Sequence, residues 1–402
     1  MEQCDTVMHK LNFNIKNIDA FHLKFSNEKS YWEEYRTTEK ENFSDRFEFR
    51  SGWQTVYATK VETAVLKVEM ADGSVGWGET NCPIGPEVTK VIVDGIIKQM
   101  VEGKEFQDPY ELWNFLYDSQ RGRGYSSGYW LDTLAMLDIG VWDALGNREK
   151  TPSCFLFGVQ SPRKEIPVYL SGIRKLTVIE RIDEAKKWVD SGIQGFKIFL
   201  TGNIENDLAE LDILQSNIPN IEEWMVDNLW MAGYEAGVKA KLEFGDRGVS
   251  FYECPLQPEN IAGHRLLVKE PGSPIALGEH FRTHYQIEPW IDSPRALDIY
   301  QPDIGRTGIS DFLVQRNMAY KKNIPVTPHM GNGISIFQAA TLHCAAVSSP
   351  KYLQEFQGGL ASILQDSATT VWKYSKGKFI LPDAPGLGVM IDENKLQPYI
   401  LK

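Results

Sequence analysis

Residues 11–25 (LNFNIKNIDAFHLKF) alternate apolar and polar positions, the period of a half-buried strand. Residues 61–80 (VETAVLKVEMADGSVGWGET) predict two more strands around the turn signal Asp72-Gly73. Between them, residues 26–52 are polar, charged and aromatic without a clear period, so they read as a functional lid or a disordered stretch. Helices are expected over 87–118 and 129–149. In the second, Leu131, Leu134, Met136, Leu137, Val141 and Leu145 line one face, and Gly146 can stop the helix.

From about residue 160 the texture changes. Short apolar runs that close on a polar residue alternate with amphipathic stretches: IPVYLSG (166–172), GFKIFL (195–200), EEWMVDN (222–228), VSFYE (249–253), IALGE (275–279), ALDIYQPD (296–303), IPVTPH (324–329) and KYLQE (351–355). The separating segments are each long enough for one helix, as in VIERIDEAKKWVDSG (178–192). About eight strand–helix repeats predict an α/β fold, a βα barrel. A doubly wound open sheet is the alternative, but no GxGxxG or GxxxxGK[ST] follows the first strand.

The 402 residues suit two or three domains. With 42 Lys+Arg against 54 Asp+Glu the formal charge is −12, so nucleic acid and anionic membrane surfaces are poor partners. Cys4, Cys82, Cys154, Cys254 and Cys344 lie far apart with no CxxC, the pattern of reduced thiols. The N-terminal residues lack an apolar signal core, and no long apolar run occurs. A soluble cytoplasmic protein is the expectation.

The sharpest local signal is a spacing. Asp227, Glu253 and Glu279 each close an apolar run and follow one another at intervals of 26 residues, close to one βα unit. Such residues project together at the C-terminal rim of a barrel. Three adjacent carboxylates repel unless a cation sits between them, and all-oxygen ligands favour Mg²⁺, then Mn²⁺. The next two strands end in Asp303 and His329. A carboxylate one strand away fixes a histidine's tautomer and raises its basicity, which points to His329 as a general base. Glu355 closes the last strand and is placed to hydrogen-bond a substrate or an oxyanion. Lys197 sits in an otherwise apolar run, where an inward-facing ammonium needs a negative partner. His280 and Asn228 each follow one of these acids, so they face the other side.

The order Lys197, Asp227, Glu253, Glu279, Asp303, His329, Glu355 resembles the mandelate racemase subgroup of the enolase superfamily. So do GWGET (76–80), AMLDIGVWDALG (135–146) and PGLGVMID (385–392). The resemblance implies a (β/α)7β TIM-like barrel with an α+β cap. It divides the chain into a capping domain (1–158, lid about 26–52), a barrel domain (159–374) and a C-terminal segment returning to the cap (375–402). It further implies one Mg²⁺ per subunit on Asp227, Glu253 and Glu279, an Asp303–His329 dyad as base, a small-molecule carboxylate substrate and a homo-oligomer. His22, Arg50 and Trp53, in or beside the lid, become candidate substrate contacts; the plainer readings are a packed His22 and a solvated Arg50. The loop RGRGY (121–125) fits either a site edge or a subunit contact.

Two departures matter. Phe199 stands where other members carry a second lysine, and Leu229 stands where some sugar-acid dehydratases carry a histidine. Only one obvious proton carrier remains, and Lys197 is best cast as a cation for the substrate carboxylate. Two-face exchange needs a second base, whereas β-elimination needs only that His329 return its proton to a hydroxyl leaving from the same face. Dehydration of a sugar acid to a 2-keto-3-deoxy acid is therefore the expected reaction. The alternatives are a cycloisomerase or epimerase acting on a sugar acid or its lactone or anhydro form, and a non-catalytic binding protein on the same fold.

Overall fold

The computed structural model describes residues 11–25, 40–159, 161–331, 333–358 and 368–401. The N-terminal strand β1 (Phe13–Phe25) is the long central strand of the first sheet. The part of the expected lid that is described is ordered: β2 (Lys40–Asn42), β3 (Phe47–Arg50) and β4 (Thr55–Ala58) form a small antiparallel sheet of their own. Its period was hidden because strands of three and four residues carry too few alternations to read. Residues 26–39 of that expected lid, and Cys4, lie outside the described residues. The pair predicted over 61–80 forms as β5 (Val61–Met70) and β6 (Val75–Glu79), and with β7 (Glu105–Phe106) it completes an antiparallel sheet in the order β6-β5-β1-β7.

The helical stretch expected over 87–118 is interrupted. Helical turns run from Glu87 to Val101 with a π-turn at Val93–Ile97, β7 follows, and a new helix spans Pro109–Arg121. Asp108 caps that helix by accepting from the Glu111 amide, with Pro109 in its first turn. The helix Tyr129–Arg148 also differs from expectation, because every residue from Trp130 to Gly146 is buried. The cap sheet covers one side and the helix Ile304–Lys321 covers another. Gly146 does not stop it; a Cβ there would press on Gly386 and Ser153, so this glycine permits close approach of the C-terminal segment. Gly78 of GWGET plays the same part against the Met136 carbonyl.

Beyond residue 160 the parallel strands follow in order. They are β8 (Glu165–Ser171), β9 (Gly195–Phe199), β10 (Glu223–Asp227), β11 (Val249–Glu253), β12 (Ile275–Leu277) and β13 (Ile299–Tyr300). After β13, residues 324–329 add only single bridges, Tyr300 to Val326 and Asp303 to His329. Pro325 and Pro328 flank that segment and have no amide to give to a ladder. On the other side β14 (Gln354–Phe356) pairs in parallel with β8. Tyr169, Met225, Phe251, Ala276 and Ile299 pack as a small core of their own. The final strands are β15 (Ala368–Thr370), β16 (Lys373–Ser375), β17 (Lys378–Ile380) and β18 (Val389–Ile391). Of these β17 runs antiparallel to β8, while farther on the Leu401 amide donates to the His22 carbonyl of the cap sheet. Among the described residues no helix is long and apolar enough to cross a membrane, and Cys82, Cys154, Cys254 and Cys344 are buried free thiols.

Three buried carboxylates join the two parts of the molecule. Glu79 accepts from the amides of Ile334 (2.8 Å), Ile336 and Phe337 (3.2 Å each), at the start of the helix Ile336–Ala346. Asp138 accepts from the Ile309 and Ser310 amides, where Gly308 breaks the helix geometry. Asp143 accepts from Trp77 and Leu387. Both oxygens of Glu79 face donors, so an amide in its place would point an N–H at an N–H. Glu79→Gln should therefore cost about 1–3 kcal/mol, read as a lower thermal midpoint. An unchanged midpoint would show that these bonds do not hold the parts together.

Candidate active site

The strand ends set the site. Lys197 lies on β9, Asp227 and Glu253 are paired in register at the ends of β10 and β11, and Glu279 follows β12 by two residues. Asp303 stands at the N-cap position of the helix after β13 without a capping bond from its side chain, His329 bridges to it, and Glu355 lies within β14. Past Asp227 and Glu253 the chain turns sharply, with Leu229, Trp230 and Cys254 in left-handed conformations. The Leu229 amide closes its turn on Asp227 Oδ1 at 2.9 Å.

Lys197 Nζ lies 2.7 Å from Glu355 Oε1, 2.9 Å from Glu253 Oε2 and 3.7 Å from Asp227 Oδ2. Burial works against the ammonium, but the Glu253 and Glu355 charges outweigh it and hold its pKa well above the ordinary value. Asp227 is pushed up by burial and by repulsion from Glu253. His329 Nδ1 meets Asp303 Oδ2 at 2.7 Å, and its Nε2 lies 3.0 Å from Glu279 Oε2 and 3.8 Å from Glu355 Oε2. Burial opposes the imidazolium, yet the Glu355 and Glu279 charges and the Asp303 hydrogen bond raise its pKa well above normal. Glu279 shifts the opposite way: burial would raise it, and the neighbouring His329 charge holds it low.

The expected three-acid cluster is thus only partly assembled. Asp227 and Glu253 bring ligand atoms within 4.8 Å of each other and of Cys254 Sγ, whereas Glu279 is turned to His329. All but Glu253 and Asp303 of the seven strand-end residues line one cavity of about 530 Å³, together with Phe199 and Leu229.

Several residues of the site carried no signal in the sequence. Asn81 donates to Asp303 Oδ2 at 2.6 Å, and Gln301 donates to Glu253 Oε2 at 3.1 Å. Gln301 lies two residues before Asp303, on the same side of its strand, a spacing that offered a clue. Tyr57 on β4 reaches the cavity, as do Trp230 and Arg282 from the loops after the strands and Arg306 from the first turn of the helix Ile304–Lys321. The three candidate lid contacts do not line it. His22 Nε2 faces Glu62 at 3.1 Å, Arg50 is buried and bonded to Glu48, and the Trp53 indole donates to the Leu200 carbonyl. Each side chain is taken up by a partner within the protein, and the neighbouring β4 turns toward the cavity instead. Residues 121–125 are exposed and away from the cavity. His280 is buried against Trp230, with no hydrogen-bond partner at either ring nitrogen, and Asn228 donates to the Pro255 carbonyl.

Residues 180–395 match the family described as enolase C-terminal domain-like. The chain belongs to the enolase superfamily. This superfamily member is 26% identical over 351 residues to the D-galactarolactone cycloisomerase of Agrobacterium fabrum, covering 83% of this chain and 90% of that one. It is 25% identical over 352 residues to the arabinonate dehydratase of Saccharolobus solfataricus, covering 85% and 91%. A crystal structure of an enolase superfamily member from Agrobacterium tumefaciens superposes with a TM-score of 0.89 at 29% identity, over 96% of this chain and 98% of that one.

At the edge of the cavity Arg46 pairs with Glu62 at 2.6 Å and with Glu87 at 2.7 Å, tying the β2–β4 sheet to β5. Burial would raise the Glu62 pKa, but His22 and Arg46 bring it from 4.5 down to about 2. A depressed carboxylate contributes its stability in full above the unfolded value, about 4.5, and loses it as pH falls toward 2. Wild type should therefore lose about 3 kcal/mol more than Glu62→Gln between pH 5 and pH 2, read from urea midpoints. Parallel pH profiles for the two proteins would rule out this role.

Proposed function

We propose that this protein removes the proton α to the carboxylate of a sugar acid, with His329 as the base, inside a parallel sheet closed as a (β/α)7β barrel. The observation that carries this reading is the His329 imidazole, held by Asp303 at 2.7 Å, with its other nitrogen facing the acids around Lys197. The superfamily and relatives that act on sugar acids support it.

The residues fit a hard divalent cation. Glu253 Oε1 is buried without a hydrogen-bond partner, which is an open ligand position. Five carboxylates (Asp227, Glu253, Glu279, Asp303 and Glu355) stand around two permanently cationic side chains (Lys197 and Arg306), so negative charge is in excess while His329 is neutral and able to act as a base. Asp227, Glu253 and Glu279 would hold Mg²⁺, whose charge offsets that of the enediolate. Lys197 binds the substrate carboxylate from the side of Glu355. Substrate replaces Glu279 at His329 Nε2, and Asp303 stabilises the imidazolium once the proton has moved.

The fate of the enediolate depends on where that proton goes next. Phe199 and Leu229 offer no proton carrier on the cavity wall, so His329 returns it to a β-hydroxyl on the same face and water leaves. The product is a 2-keto-3-deoxy acid, and the enzyme is a lyase. Cycloisomerisation of a lactone or anhydro acid shares the first step, and the named relatives support it equally.

The test is a panel of sugar acids and their lactones incubated with Mg²⁺ in D₂O. The expected result is α-deuterium exchange that chelator abolishes and that His329→Asn reduces by at least about a thousandfold. A 2-keto-3-deoxy product marks dehydration; loss of a lactone without loss of water marks cycloisomerisation. Exchange that survives His329→Asn would assign the base elsewhere, and deuterium in substrate of inverted configuration would reveal a second base.

A further inference from the structure

Arg306 is a cation in the cavity wall that pairs with no acid among the described residues. Its Nη1 donates to the backbone carbonyl of Glu279 at 2.9 Å, its Nε is buried with no partner, and it makes no ion pair among the described residues. The carboxylates around it spend their bonded oxygens elsewhere, although Asp303 Oδ1 is buried with no hydrogen-bond partner among the described residues. Asp303 Oδ2 accepts from His329 and Asn81, Glu279 Oε2 faces His329, and Asp132 takes both prongs of Arg282 at 2.7 and 3.2 Å. A guanidinium with five N–H donors of which one donates to the protein is built for a planar anion.

Its position says which anion. Lys197 stands on β9 and Arg306 follows β13, four strands away in the sheet order. Glu355 and Glu279 lie between them, and His329 Nε2 is within 3.8 and 3.0 Å of those two acids. A substrate with its carboxylate at Lys197 and its α-carbon at His329 therefore extends its far end toward Arg306. We propose that Arg306 binds a second carboxylate at that far end, which makes dicarboxylic sugar acids (aldarates) preferred over the monocarboxylic aldonates. This rests on the orientation given under the proposed function.

The experiment measures binding, so it needs no turnover. Titration calorimetry with Mg²⁺ present compares matched pairs: galactarate with galactonate, glucarate with gluconate, and mannarate with mannonate; 6-phosphogluconate serves as a differently charged probe. At least one aldarate should bind about tenfold more tightly than its aldonate. Arg306→Gln should erase that preference while changing the aldonate affinity less than about threefold, and Arg306→Lys should keep part of it. A merely structural arginine would weaken both acids by the same factor, and that result overturns the proposal. So does a wild type that binds no aldarate better than its aldonate, or that binds the phosphate best. Aldarate preference without α-proton exchange would leave this inference standing and sink the proposed reaction; exchange without the preference would do the reverse, and no binding of either class would sink both.

Discussion

Lys197 has almost no contact with solvent and keeps its charge only because three carboxylates surround it. The dependence is mutual. Asp227 and Glu253 end neighbouring parallel strands and Glu355 lies on β14 across Lys197 from them, all close together in a poorly solvated space, and without a cation they would repel one another strongly. Two cationic centres divide the work: Lys197 gathers the acids on β10, β11 and β14, and His329 gathers Glu279, Glu355 and Asp303. Glu355 belongs to both groups, so the two halves of the site are electrostatically one. The opposite shifts of Asp227 and Glu279 follow from this division, since one acid lies nearer to other acids and the other lies against the imidazole.

The same logic of buried charge holds the molecule together at larger scale. Glu79, Asp138 and Asp143 all come from the cap and all accept backbone amides from outside it. Such bonds fix direction as well as distance, so they hold the cap over the strand ends in one register. Asn81 lies two residues beyond Glu79 and reaches Asp303. The segment that fastens the cap thereby also holds the Asp303 carboxylate that faces His329, so the geometry of the cap and that of His329 are coupled.

Much of this was legible in the sequence, for identifiable reasons. The long alternation in β1, the 26-residue spacing of the acids and the Asp303–His329 order are repeated or charged features, and burial makes charged features conspicuous. The misses have equally physical causes. The short strands β2 and β3 carry too few residues to show a period. The helix Tyr129–Arg148 is packed on several sides, so no single apolar face existed to be read. His22, Arg50 and Trp53 were nominated by their nearness to the lid, but proximity in sequence does not say which way a side chain turns. Asn81 and Tyr57 reach the site from the cap and Arg306 from the first turn of the helix Ile304–Lys321, where no strand periodicity fixes the side of approach.

That contrast bears on how such a site acquires its chemistry. Residues at strand ends are constrained by the sheet to point at one centre, so they suit the step that the proposed function assigns to every substrate, removal of a proton beside a carboxylate. Residues from β4 and from the loop before Arg282 lie under no such constraint, so their side chains can differ without disturbing Lys197 or His329. Phe199 and Leu229 sit between these two classes. They occupy strand-end positions yet carry no titratable group. Under the proposed function, the strand ends therefore determine which bond to hydrogen breaks, while the groups facing the rest of the cavity determine what the resulting enediolate is able to expel.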